Sequence, residues 1–146
     1  MAASRRWRLA GRWGALVTQG RWVDVPARGT LAAASVSHAV VAEAQTAYLA
    51  GHNTWGQLGQ GRTSVWGTAR IALPDRIVSA AAGLGFTCLA TSDALYVSGT
   101  NVRGQMGLDQ ERGSLSFQRL ALPAVRSVCA GLDHMLVLAG AQVWAC

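Results

Sequence analysis

From residue 24 onward the apolar residues come in short runs, about four to eight long, closed by Gly, Pro, Asn or Asp. Examples are Ile71-Ala-Leu-Pro74, the run from Ile77 to Ala82, Gly83-Leu-Gly-Phe86 through Ala90, and Leu95-Tyr-Val-Ser98 after a turn at Ser92-Asp93. No sustained helical spacing of apolar positions occurs in this body, so the pattern predicts short strands separated by turns. Leu31 to Ala50, with five alanines before Glu43, is the one stretch that also reads as a helix. Val36–Ala42, Leu84–Ala90 and Leu132–Leu138 are apolar on both faces, as expected of inner strands covered on each side.

The runs repeat. Gly51-His-Asn-Thr-Trp-Gly-Gln-Leu-Gly59 returns 48 residues later as Gly99-Thr-Asn-Val-Arg-Gly-Gln-Met-Gly107, a G-x-N-x-x-G-Q-[LM]-G pattern. In the same register Gly83 matches Gly131, Phe86 matches His134 and Tyr96 matches Trp144; backwards, Pro26, Ser35, His38 and Tyr48 match Pro74, Gly83, Phe86 and Tyr96. This predicts stacked supersecondary units and divides the chain into residues 1–23, a half repeat 24–50, a full repeat 51–98 and a second full repeat 99–146 that stops at a unit boundary. About four strands per unit point to the blade of a β-propeller.

The repeated residues suit structural work. Gly51, Gly56, Gly59, Gly99, Gly104 and Gly107 permit sharp turns, and Gly83, Gly131 and His134 recur as a fold position. Asn53 and Asn101 are expected to close Asx-type turns, and Gln57 and Gln105 to bridge two loops through backbone groups. Leu58 and Met106 should insert between blades, with the nonapeptide as the connector from blade to blade. Residues that differ between copies, His52, Trp55, Trp66 and Arg103, are the candidate partner contacts.

Charge is unevenly placed. All thirteen basic residues are arginine, and Arg5, Arg6, Arg8, Arg12 and Arg21 fall in the first 23 positions, where no acid occurs. That acid-free leader resembles a mitochondrial transit peptide; drawn as a helix it puts Leu9, Trp13, Leu16 and Val17 on one face. The other reading is an unstructured Arg-rich start. Beyond it the chain is nearly neutral, which argues against nucleic-acid binding by the body. Cys88, Cys129 and Cys146 form no C-x-x-C pair and read as small apolar fillers in a reducing compartment. No run is long enough for a membrane span.

Catalytic signatures are missing from the sequence: there is no G-x-S-x-G elbow, H-E-x-x-H helix, P-loop or paired-carboxylate site. Gly56-Gln-Leu-Gly-Gln-Gly61 has the wrong glycine spacing for a dinucleotide fingerprint and reads as a turn. The expectation is a non-enzyme with no catalytic, cofactor or metal residues.

The nonapeptide, linked to a G-x-x-H element at Gly131-Leu-Asp-His134, with Phe86 in the His slot of one copy and Ser35 in the Gly slot of another, resembles the regulator of chromosome condensation repeat family. The resemblance covers residues 24–146 and implies an all-β, partial seven-bladed β-propeller of about two and a half four-stranded blades. It further implies a protein-interaction module, mitochondrial and tied to organellar ribosome assembly or RNA metabolism. The alternatives are a guanine-nucleotide exchange factor for a small or dynamin-like GTPase, cytoplasmic or nuclear, and a truncated fragment with no function of its own. Partners would accordingly be a GTPase or a ribosome-assembly factor, with no direct nucleic-acid binding and no cofactor.

Overall fold

In a computed structural model of the chain, residues 30–146 are described in full; of the first 29, only the backbone of four short strands is described. These are β1 (Trp7–Leu9), β2 (Arg12–Trp13), β3 (Leu16–Val17) and β4 (Val23–Val25), with β1 paired to β4 and β2 to β3, both antiparallel. Of the stretch drawn as a helix, Leu9, Arg12, Trp13, Leu16 and Val17 are on strands, in keeping with its Trp and Val content. The boundary drawn at 23/24 falls inside β4. Arg5, Arg6, Arg21 and Pro26 lie outside the described residues.

Three antiparallel sheets follow, each a meander in sequence order. The first holds β5 (Leu31–Ala34), β6 (His38–Glu43), β7 (Thr46–Asn53) and β8 (Ser64–Ala72). In the second are β9 (Ser79–Ala82), β10 (Phe86–Ala90), β11 (Ala94–Gly99) and β12 (Ser114–Ala121). The third holds β13 (Val125–Ala130), β14 (Met135–Ala139) and β15 (Gln142–Ala145). No helix occurs among the described residues, so Leu31–Ala50 is strand throughout its regular parts. The opening strands β5, β9 and β13 lie against one another, so these, rather than the runs beginning at Val36, Leu84 and Leu132, are the innermost strands. Each run starts as an exposed turn and becomes the second strand of its sheet.

Between sheets the cores form at matched positions. Val40, Ala42, Ala47 and Leu49 of the first sheet meet Leu89, Ala94 and Tyr96 of the second, with Leu58 filling the gap. Cys88, Ala90, Leu95 and Val97 of the second meet Val128, Met135, Val137 and Ala139 of the third, with Met106 as the filler. Leu58 and Met106 are fully buried, as inserted residues should be. Cys88 is an apolar filler, but Cys129 and Cys146 are exposed, on a sheet that has one face covered among the described residues.

The nonapeptide does not run from one blade to the next. It begins on β7 or β11 and leads to the next strand of its own sheet, while its loop packs against the following sheet. Consequently residues 51–98 supply β8 of one sheet and β9 to β11 of the next. The polar segment after the nonapeptide, which reads as a linker, is a strand of nine residues in β8 and eight in β12. Its burial is low because it is the outer edge of the sheet, and an exposed edge can be polar on both sides. At Gly51 and Gly99 φ is 137° and 120°, and a Cβ at Gly51 would lie 2.6 Å from the His38 Cα. Only glycine fits there, because strand and preceding turn meet backbone to backbone through His52 N to Ser37 O and Thr100 N to Gly85 O, both 2.9 Å.

Truncating Leu58 or Met106 to alanine leaves a cavity at a sheet-to-sheet contact. Each is expected to lower stability by about 2–5 kcal/mol, read as a reduced urea midpoint.

Candidate functional site

Asn53 and Asn101 stand at the mouth of their loops and act in the same way. Asn53 Oδ1 accepts from Leu58 N at 3.0 Å and its Nδ2 donates to Arg62 O at 2.8 Å; Asn101 Oδ1 accepts from Met106 N at 2.8 Å and its Nδ2 donates to Leu108 O and Gln110 O at 3.1 and 2.6 Å. The span is five residues forward, wider than an Asx turn, and it ties both ends of the loop to one side chain. Gln57 and Gln105 do not bridge separate loops. Each Oε1 folds back on its own loop, accepting from Trp55 N at 3.1 Å and Arg103 N at 2.9 Å, because the next sheet already closes over them.

What bridges to the next sheet is the loop backbone. Thr87 Oγ1 donates to Gln57 O at 2.7 Å and Ser98 Oγ donates to Gly56 O at 2.7 Å. Thr87 has thereby used its proton, so it accepts from His38 Nε2 at 2.6 Å, and His38 Nδ1 accepts from Ser37 Oγ at 2.8 Å. The chain Ser37–His38–Thr87–Gln57 thus joins both sheets to the loop, with a neutral imidazole in its middle. Burial pushes His38 down from 6.5 to about 4. Sequence spacing showed His38 as a repeat position; nothing in the sequence pointed to Thr87 or Ser98, since Met135 and Cys146 stand at the matching places.

The aromatic slots differ by copy. Phe86 folds over Gly83, and His134 over Gly131, so a side chain at either glycine would strike the ring. Phe86 and His38 are fully buried, whereas His134 is exposed, with Asp133 Oδ1 3.8 Å from its Nδ1. Tyr96 is buried and Trp144, at the matching position, is exposed; among the described residues β12 flanks β11 and no strand flanks β15.

Three of the four candidate contacts share one end of the sheets. Val36, Ser37, His52, Thr54, Trp55 and Leu84 line an apolar depression of about 310 Å³. Trp55 lies across Gly85, where a Cβ would fall 2.6 Å from its Cε3, so the glycine makes room for the indole. Leu84 N donates to Leu132 O at 2.9 Å, joining the turns of the second and third sheets, and Arg103 Nε lies 3.3 Å from Asp133 Oδ2. The result is a ridge across three sheets in which Val36, Trp55, Leu84, Val102 and Leu132 are all exposed. Trp66 is not part of it. It stands on β8, an outer strand, and does not line the depression.

Among the described residues, no three His, Cys, Asp or Glu side chains gather as metal ligands, and no helix is long and apolar enough to cross a membrane. Neither observation speaks to a β-barrel.

No protein-family model matches the chain, and no curated protein matches it. Among solved structures, the crystal structure of human WBSCR16 is similar, with a TM-score of 0.70 at 20% sequence identity, over 77% of this chain and 32% of that one. The fold is propeller-like. The chain spans about a third of the length of that neighbour, and at this identity the likeness concerns the fold alone.

The neutral His38 fixes a pH dependence. Between pH 6.5 and 4 the unfolded chain binds a proton at this residue that the folded chain refuses. Stability from this group is therefore complete above about 6.5 and falls as pH drops to 4, by about 3 kcal/mol in all. His38→Phe, copying the residue at the matching position 86, should flatten that slope in urea titrations run across the window.

Proposed function

We propose that this chain is part of a protein-interaction propeller of the regulator of chromosome condensation repeat type, built on 48-residue units as a segment of a seven-bladed ring. It is not an enzyme, it acts in mitochondria, and its partners belong to organellar ribosome assembly or RNA metabolism. The observation that carries the interaction reading is the exposed apolar ridge of Val36, Trp55, Leu84, Val102 and Leu132, on turns where solvent favours polar side chains. The family assignment rests on the nonapeptide and G-x-x-H pattern, and a propeller-like fold supports it. The mitochondrial assignment rests on the acid-free, Arg-rich first 23 residues. On this reading Trp55 is the anchor, because it combines a large exposed ring with the adjoining depression.

The proposal is checked by quantitative capture of mitochondrial ribosome-assembly proteins on the immobilised chain. Trp55→Ala is expected to weaken that capture about tenfold or more, the loss of a hot-spot side chain. Capture unchanged by the substitution, or accelerated nucleotide release from a small or dynamin-like GTPase mixed with the chain, would overturn it in favour of another surface or of exchange activity. For location, residues 1–30 fused to a fluorescent reporter should enter mitochondria; a diffuse cytosolic signal refutes that part.

A further inference from the structure

The turns that lead into β6, β10 and β14 meet differently at the two sheet junctions. Between the second and third sheets Leu84 N–H donates to Leu132 C=O at 2.9 Å, and Arg103 Nε lies 3.3 Å from Asp133 Oδ2. One repeat earlier the same places hold Val36 and Leu84, Trp55 and Gly85. No ion pair can form there, and among the described residues Val36 N–H and Leu84 C=O have no hydrogen-bond partner. Both residues line the apolar depression instead. Leu84 C=O, like Leu132 C=O at the matching position, faces the turn of the preceding sheet, and Val36 N–H, like Leu84 N–H, faces the turn of the following one. An unused donor and an unused acceptor therefore flank the depression. Other main-chain groups of these turns are engaged: Ser37 N–H donates to Ser35 Oγ at 3.2 Å, while Ser37 C=O accepts from His52 N–H and Gly85 C=O from Thr100 N–H, both at 2.9 Å.

Charge complementarity selects the occupant. The lining includes no carboxylate, ammonium or guanidinium group, so a charged ligand would lose hydration without gaining a counter-charge. A peptide unit meets the two partial charges that are present. Being planar and trans, it holds its C=O and N–H in opposite directions, which sets the oxygen towards Val36 N–H and the hydrogen towards Leu84 C=O. At about 310 Å³ the depression stands at the small end of ligand pockets, which begin at about 300 Å³, and so suits one side chain with its main chain. Trp55 is already set for that side chain, its N–H held by Gln57 Oε1 at 3.1 Å and its indole laid across Gly85.

We propose that the first sheet junction binds an extended peptide segment of a partner protein, with one peptide unit bridging Val36 N–H and Leu84 C=O and the adjoining apolar side chain lying on Trp55. This rests on the interaction reading above and adds the chemistry that the surface takes: uncharged main chain carrying an aliphatic residue.

Nuclear magnetic resonance of the isotope-labelled 146-residue chain, titrated with the blocked tripeptide acetyl-Ala-Leu-Ala-N-methylamide, tests this. The Val36 amide and Trp55 indole signals are expected to move, and to stay in place when aspartate replaces the leucine of the tripeptide. Exchanging the N–H on one or the other side of that leucine for an ester oxygen should weaken binding about fivefold at one of the two places, the loss of a single hydrogen bond. Trp55→Arg combined with Gly85→Asp copies the Arg103 and Asp133 arrangement of the second junction, and should abolish the Val36 shift with unchanged far-ultraviolet circular dichroism. The proposal is overturned by signals that the leucine tripeptide leaves in place, by equal binding of the aspartate tripeptide, or by binding that neither ester weakens. The interaction reading fails separately: tripeptide shifts without Trp55-dependent capture keep the peptide site and refute the ribosome-assembly partners, whereas such capture without the shifts keeps the partners and refutes the peptide site.

Discussion

A polar loop lies between two sheets, and the structure depends on satisfying its backbone there. The nonapeptide carries Leu58 or Met106 into an apolar gap, and with it go amide and carbonyl groups that would each cost about 1–3 kcal/mol if buried without partners. Asn53 and Asn101 take up the inward amides of Leu58 and Met106, and their side-chain donors hold the far end of each loop. In the first loop the remaining carbonyls of Gly56 and Gln57 are taken by Ser98 and Thr87 of the neighbouring sheet. At the first loop stacking and satisfaction of the loop are thus coupled, because the bonds that take up these two carbonyls cross between sheets.

The two junctions solve this problem with different chemistry. At the first, hydroxyls and the neutral His38 make a directional, fully buried chain. At the second, Met135 and Cys146 occupy the Thr87 and Ser98 positions, and Cys88 Sγ approaches Met135 Sδ at 3.3 Å. Directionality moves to the periphery there, to Ser79 Oγ between Val128 N and O, and to Leu84 N on Leu132 O. The first junction couples packing to protonation; the second is held mainly by polarizable apolar contact.

Sequence pattern was informative where one residue type has one physical use. The doubled glycines and asparagines located the loops, and the apolar runs located the second strand of each sheet, because φ above zero, side-chain closure of a loop and burial within a sheet each demand particular residues. It was uninformative where the environment decides. β8 and β12 read as linker since an outer strand facing water can hold Arg, Ser and Gln as readily as Val. Val23 to Val25 and the strands before it were hidden by an arginine pattern that looks amphipathic on a helical wheel. Thr87 and Ser98 have no counterpart in another copy, so repetition could not mark them.

The same distinction applies within the candidate site. Val36, Leu84 and Leu132 occupy one position in three successive turns, and none of them enters a sheet-to-sheet core. Packing therefore does not require an apolar side chain there, and exposure in a turn disfavours one. Their neighbours do have structural work: Ser35 supports His38, Gly83 and Gly131 receive aromatic rings, and Gly85 receives Trp55. An apolar residue recurs at three turns outside the described cores, contiguous with a half-exposed tryptophan, and that recurrence is what supports the proposed contact surface.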